Sequence, residues 1–230
     1  MDILPFRSPQ PVPAAPDPVA EAHHRIANCL ALLVSTVRMQ AASVRKQAGP
    51  FSNVEVRQML DGIAARIGTM SQLHRILSRP GGDGVLFLKP NLKEVTDTLV
   101  ATLASPEQQI RVMHGTGDCL VEMRQVQPIM LILCEIFINA MKYAHPAGVP
   151  LVMTVDCERA AEGGLVLSIS DDGVGLPEGF EPGKTLGIGF KVMRSLAAEI
   201  GGELQILSTH LGLTFRLSLP ASAMAGAKLA

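Results

Sequence analysis

The chain has 230 residues, 47% of them hydrophobic but only 3% aromatic, with no Trp and one Tyr. That length holds one ordinary domain plus a smaller helical one, around an aliphatic, Met-rich core. A formal charge of -1 gives no electrostatic reason to expect nucleic acid or anionic lipid as a partner. The cysteines Cys29, Cys119, Cys134 and Cys157 are scattered without a C-x-x-C pair. They read as reduced core thiols of a cytoplasmic protein.

Residues 1–18 are proline-rich and lack a basic stretch followed by an apolar one, so they read as a disordered leader and not a signal peptide. No apolar run approaches a membrane span, and no membrane insertion is expected. From Val19 to Val44, Ile26, Leu30, Leu33, Val34, Val37 and Val44 recur at helical spacing. The segment 47–51 breaks that helix. Ser52-Asn53-Val54-Glu55 has the form of a capping box opening a second helix, with Val56, Leu60, Ile63, Ile67, Met70, Leu73 and Leu77 on its apolar side. It stops at Arg79-Pro80-Gly81-Gly82. Residues 19–80 therefore read as an antiparallel helical hairpin whose wet apolar surface calls for a second copy, giving a four-helix bundle in a homodimer. A monomer results instead if the helices pack on the following domain.

Residues 81–220 change pattern. Strand-like runs stand at Val85–Leu88, Gln109–Met113, Cys119–Met123, Leu151–Cys157, Leu165–Ser170, Glu203–Ser208 and Leu213–Leu219. Helical runs lie between them at Asn91–Leu103, Gln125–Tyr143 and Ile188–Ile200. Strands that follow one another as hairpins make this an α+β two-layer sandwich and not a doubly wound parallel sheet. Residues 221–230 read as a flexible tail.

The first segment that carries chemistry is Glu21-Ala22-His23-His24-Arg25-Ile26-Ala27-Asn28. At helical pitch His24 lies opposite the apolar stripe, while His23 falls beside it. Glu21 sits one turn from His24, where a carboxylate can accept one ring N–H, fix the tautomer and leave the other nitrogen free to attack a phosphate. The same octet also fits a surface histidine beside a helix-start acid.

Three boxes follow. Glu135, Asn139 and Lys142 share one side of the long helix at i, i+4 and i+7. An amide oxygen suits Mg²⁺, a lysine neutralises phosphate, and Glu135 is a candidate base or water-orienting group; an ordinary polar face is the alternative. Asp171-Asp172-Gly173-Val174-Gly175 follows a strand. A carboxylate there can accept an adenine amino N–H, and glycines let the backbone approach the base. Leu186-Gly187-Ile188-Gly189-Phe190 opens a helix whose N-terminal N–H groups suit phosphate. Residues 176–185, with Lys184, would form a lid between the last two boxes.

Together these boxes resemble the histidine kinases of the GHKL ATPase superfamily, closest to the HisKA type 2 class, over about Ala20 to Pro220. The resemblance rests on their order: E-x-H-H-R-x-x-N, E-x-x-x-N-A-x-K, D-x-G-x-G, G-x-G, then Gly212-Leu213-Thr214 before a strand. The related HWE class fits less well, since it expects a histidine where Tyr143 stands and a Trp-containing segment. Ala27 replaces a lysine common in the phosphoacceptor box. The resemblance implies a Bergerat-type ATP-binding domain over 81–220. It implies that His24 is autophosphorylated from ATP, with Glu21 and Glu135 in catalytic roles. Asn139 is then the Mg²⁺ ligand, and Asp171 reads adenine. Lys142, Tyr143, Gly173, Gly175, Gly187, Gly189 and Thr214 complete the nucleotide site. It further implies transfer to an aspartate of a response regulator receiver domain. A core without its own sensor domain, served by a separate sensor protein, is expected. A phosphotransferase or response-regulator phosphatase with a residual ATP site is the alternative, and an ATP-binding anti-sigma factor a more distant one.

Overall fold

The computed structural model describes residues 49–78, 84–106, 108–145, 149–161, 163–177 and 188–221, with part of the stretch from 27 to 44. Helix α1 is described as helical at 33–39 and at several residues on either side. Then follow α2 (Asn53–Leu77), β1 (Val85–Phe87), α3 (Leu88–Leu103), β2 (Ile110–His114), β3 (Leu120–Glu122) and α4 (Met123–Tyr143). The chain continues through β4 (Leu151–Arg159), β5 (Leu165–Asp171), α5 (Ile188–Glu199), β6 (Glu203–Thr209) and β7 (Gly212–Leu219).

The expected α+β class holds. Five strands form one sheet in the order β2-β4-β5-β7-β6, antiparallel throughout except that β2 runs parallel to β4. Strands β1 and β3 pair separately as a two-stranded antiparallel ribbon. Along β4, Leu151, Met153, Val155 and Cys157 are buried and their neighbours are not, and β5 repeats this with Leu165, Leu167, Ile169 and Asp171. This period of two turns one sheet face onto α4, which is buried along most of its length. Asp171 thus occupies a position that the alternation reserves for the core.

No apolar run was expected to reach membrane-span length, and α4 corrects this. Its 21 residues are apolar enough to cross a membrane, yet the most apolar stretch is 72% buried. It is the central core helix, packed by α2, α3 and α5. Pro128 lies within it, giving up one i→i−4 hydrogen bond. Helix α3 begins at Leu88, three residues ahead of the expected Asn91, because Pro90 fits the first turn, where no intrahelical N–H bond is needed.

Helix α2 opens on the expected capping box. Ser52 Oγ accepts the Glu55 N–H at 3.2 Å and Glu55 Oε2 accepts the Ser52 N–H at 2.8 Å. Its packing departs from expectation. The buried residues are Gly62, Ala65, Arg66, Thr69, Gln72, Leu73 and Ile76, and they face α3 and α4. Of the expected apolar side, Leu60 and Ile67 stay 60% and 55% exposed. That side borders an apolar groove of about 870 Å³, lined by Leu33, Val34 and Val37 of α1 and Ile63, Ile67 and Met70 of α2. Cys119, Cys134 and Cys157 are buried free thiols, as expected; burial pushes Cys134 up to about 12 and raises Cys157 as well. Cys29 lies outside the described residues.

Candidate functional site

At the end of β5 the chain turns sharply beneath the C-terminal end of α4. Asp171 is 8% exposed, and its Oδ1 accepts the N–H groups of Gly173 at 2.9 Å and Leu213 at 3.3 Å. Burial nonetheless pushes its carboxyl above the usual carboxylate range, outweighing those two bonds. Both bonds end on Oδ1, so among the described residues Oδ2 is left to accept from a donor such as an exocyclic amine. Gly173 is required by space: a Cβ there would stand 2.6 Å from Cα, Cβ and O of Ala144. The close approach is cemented by Val174 N–H donating to Ala144 O at 2.9 Å. Gly175 has φ +71° and passes against the Thr209 carbonyl, a conformation and clearance that exclude a side chain.

The other pole lies on α4. Glu135 is 5% exposed, Asn139 and Lys142 are half-buried, and all three were expected on one helix side. The first turn of α5 is laid over them. A Cβ on Gly189 would stand 3.2 Å from Glu135 Oε2 and 3.5 Å from Asn139 Nδ2. That amide nitrogen is buried and has no partner among the described residues. A buried unpaired amide costs about 1–3 kcal/mol, so it suits a site that gains its partner on binding. Rotation about the terminal bond exchanges N and O, so the group can offer a ligand oxygen to a hard cation equally well. Lys142 is held below the usual lysine range, first by burial and then by the charge of Arg66, with Glu135 opposing.

Arg66 and His145 were not singled out from sequence. Arg66, on α2, is 6% exposed and donates from Nε to Glu135 Oε1 at 2.6 Å and from Nη2 to Oε2 at 2.8 Å. Burial lowers its pKa, but the Glu135 hydrogen bonds and charge outweigh this and hold it above the ordinary guanidinium value. The available signal was small residues around it, Gly62, Ala65 and Thr69, opposite the apolar side. His145 Nε2 lies 2.8 Å from Asp172 Oδ1, which also accepts the Val152 N–H at 2.9 Å. This ties the end of α4 to the β4–β5 edge of the cleft.

Asn139, Glu135, Lys142 and Gly189 are therefore brought together, with Asp171 and Gly173 beside the same C-terminal end of α4 and Gly175 against the Thr209 carbonyl of β6. Tyr143 is 71% exposed. Thr214 pairs with Ser170 in register, on the opposite alternation from buried Phe215. Glu21, His23, His24, Lys184 and Gly187 lie outside the described residues, as does most of the expected lid.

Two family models match the chain. One, described as histidine kinase, covers residues 21–103; the other, described as histidine kinase-, DNA gyrase B-, and HSP90-like ATPase, covers residues 125–223. Among curated proteins, the sensor histidine kinase PdtaS of Mycobacterium tuberculosis is 30% identical over 192 residues, covering 81% of this chain and 36% of PdtaS. The chain thus spans about a third of the length of that relative. Blue-light-activated histidine kinase 2 of Erythrobacter litoralis is 24% identical over 208 residues, 89% of this chain and 57% of that protein. The solved histidine kinase domain of an Erythrobacter litoralis blue-light-activated kinase has the same fold. Its TM-score is 0.62 at 20% identity, covering 88% of this chain and 92% of the other.

Proposed function

We propose, for a chain that belongs to the histidine kinase family with a HisKA type 2 module joined to a GHKL ATPase domain, that it phosphorylates its own His24 from ATP. It then passes the phosphoryl group to an aspartate of a response regulator. Residues 19–80 serve as dimerisation and phosphoacceptor hairpin and 81–220 as ATP-binding domain, flanked by a leader at 1–18 and a tail at 221–230. A cytoplasmic homodimer is the working form, with the apolar groove beside α2 taking the second copy's helices.

The observation that carries this reading is Asn139's buried amide beneath Gly189, unpartnered among the described residues, with Asp171's buried carboxyl in the turn that packs on the C-terminal end of the same helix. Asp171 reads the adenine amino group. A guanine carbonyl there would set acceptor against acceptor, costing about 1–3 kcal/mol. Asn139 would hold Mg²⁺, which supplies charge neutralisation at the phosphates. Lys142 adds a cation at the same end. Glu135, already gripped on both oxygens, orients the phosphate end. Gly173 and Gly175 let the backbone close on the base, Gly187 and Gly189 offer N–H groups to phosphate, and Tyr143 and Thr214 border the cleft. Glu21 fixes the His24 tautomer so that one ring nitrogen is free to attack the γ-phosphate.

The test is incubation with γ-labelled ATP and Mg²⁺, followed by a chase with a receiver domain. An acid-labile, base-stable label is expected, surviving His23→Ala and lost in His24→Ala and Asn139→Ala. Nucleotide binding with no label in wild type would point instead to the phosphatase or anti-sigma readings.

A further inference from the structure

Glu135 is placed at the phosphate end by α4, but what holds its carboxylate comes from elsewhere in the chain. We infer that Arg66 of helix α2 is a positioning residue of the nucleotide site, so that docking of the helical hairpin on α4 and completion of the phosphate end are one event. This rests on the proposed kinase reading and extends it to a residue outside the ATPase domain.

The geometry is specific. Both oxygens of Glu135 are taken by Nε and Nη2 of the guanidinium, a two-bond fork that an ammonium cannot make. The third nitrogen, Nη1, donates to Gly62 O at 3.0 Å one turn back on α2, which fixes the direction from which the fork arrives. The turn at Gly62 packs closely on the fork: a Cβ there would sit in van der Waals contact with Nη1 at 3.4 Å and Ile138 at 3.6 Å. On its other side Glu135 Oε2 meets the first turn of α5 at Gly189. Arg66 and Glu135 side chains are only 7% and 6% exposed. Removing two ions from water is costly, and well-packed apolar residues of the same volume would join α2 to α4 as firmly or more so. A mere staple needs neither charge.

The charges at this point do not cancel. Among the described residues, Arg66 and Lys142 bring two cations and Glu135 one anion, beside the unpartnered amide of Asn139. A surplus positive charge with a spare hydrogen-bonding group is a complement for phosphate. Arg66 therefore acts through Glu135 and adds its charge to a site where, among the described residues, the ATPase domain supplies Lys142 against Glu135.

The experiment uses the full chain and follows initial autophosphorylation rate against ATP concentration for wild type, Arg66→Met and Arg66→Lys. Arg66→Met is expected to lower kcat by at least about tenfold with KM within about threefold. Arg66→Lys should recover only part of kcat, because an ammonium cannot hold both oxygens. Wild-type kcat in Arg66→Met would overturn the inference, even with a lower melting temperature. If Arg66→Met does not fold, Arg66→Lys decides: wild-type kcat overturns it, and a several-fold loss of kcat with KM within about threefold supports it. A wild-type chain that takes no label refutes the kinase reading and this inference together.

Discussion

Asp171→Asn separates what a residue does for folding from what it does for recognition. The asparagine oxygen can still accept the Gly173 and Leu213 N–H groups, so the turn after β5 keeps its two hydrogen bonds. What disappears is a buried charge. Burial holds the Asp171 carboxyl above its ordinary value, so the unfolded chain ionises before the folded one does. Below the unfolded pKa, about 3.9, both states are protonated and the residue is neutral to stability. As pH rises through the window up to the folded pKa, stability falls; above it, the loss is constant. Asparagine escapes that loss, so the variant is expected to melt at or above wild type at pH 7, the gap closing towards pH 4. Recognition moves the other way. A hydrogen bond to a charged acceptor contributes about 1.5–3 kcal/mol, so ATP affinity should fall by about ten- to hundred-fold. Thermal melts from pH 4 to 8 and a nucleotide titration measure the two sides. A variant several degrees less stable at pH 7, with unchanged ATP affinity, would refute the reasoning.

Other outcomes follow from the same geometry. Gly173→Ala should cost about 1–3 kcal/mol in chemical denaturation and weaken ATP binding, since the new Cβ meets Ala144 at 2.6 Å. Asp172 is held below the usual carboxylate range: burial opposes this, but the Val152 N–H and His145 outweigh it. Its contribution is present above the unfolded carboxylate pKa and lost as pH falls through the lower folded one. Asp172→Asn should therefore be less stable than wild type near neutrality and indistinguishable from it at the acid extreme, read from melting temperatures. If the chain pairs as proposed, wild type should sediment as a dimer and Ile67→Glu, on the exposed side of α2, as a monomer, because a charge cannot be buried unpaired in the bundle. A wild-type monomer would remove the four-helix bundle from the account.

Much of the ATPase half was legible because its signals are local. The alternation in β4 and β5, the Ser52 capping box and the long apolar α4 all declare themselves within a few residues. The parallel pairing of β2 with β4 was not, because the partners are separated by β3 and α4 and parallel register leaves no turn signal between them. Helix α2 misled for a different reason. It has two working faces, and the one that meets α3 and α4 mixes Leu73 and Ile76 with Gly62, Ala65, Arg66, Thr69 and Gln72, small or polar residues that give no apolar stripe. Arg66 was hidden on that face, since a lone arginine in a helix looks like a solvated charge until Glu135, 69 residues away, is seen to meet it. The boxes on α4 and β5 were visible as residue types at set spacings. The closing of Gly189 over Glu135 and Asn139 depends on how α5 lies over α4, a tertiary contact that no local pattern encodes.

The most direct measurement is tandem mass spectrometry of the ATP-treated chain, digested and kept at alkaline pH so that a phosphoramidate survives. The account expects one phosphorylated peptide, with the added mass on His24 and none on His23. Phosphate on a serine or threonine, or on a peptide lacking His24, would contradict it.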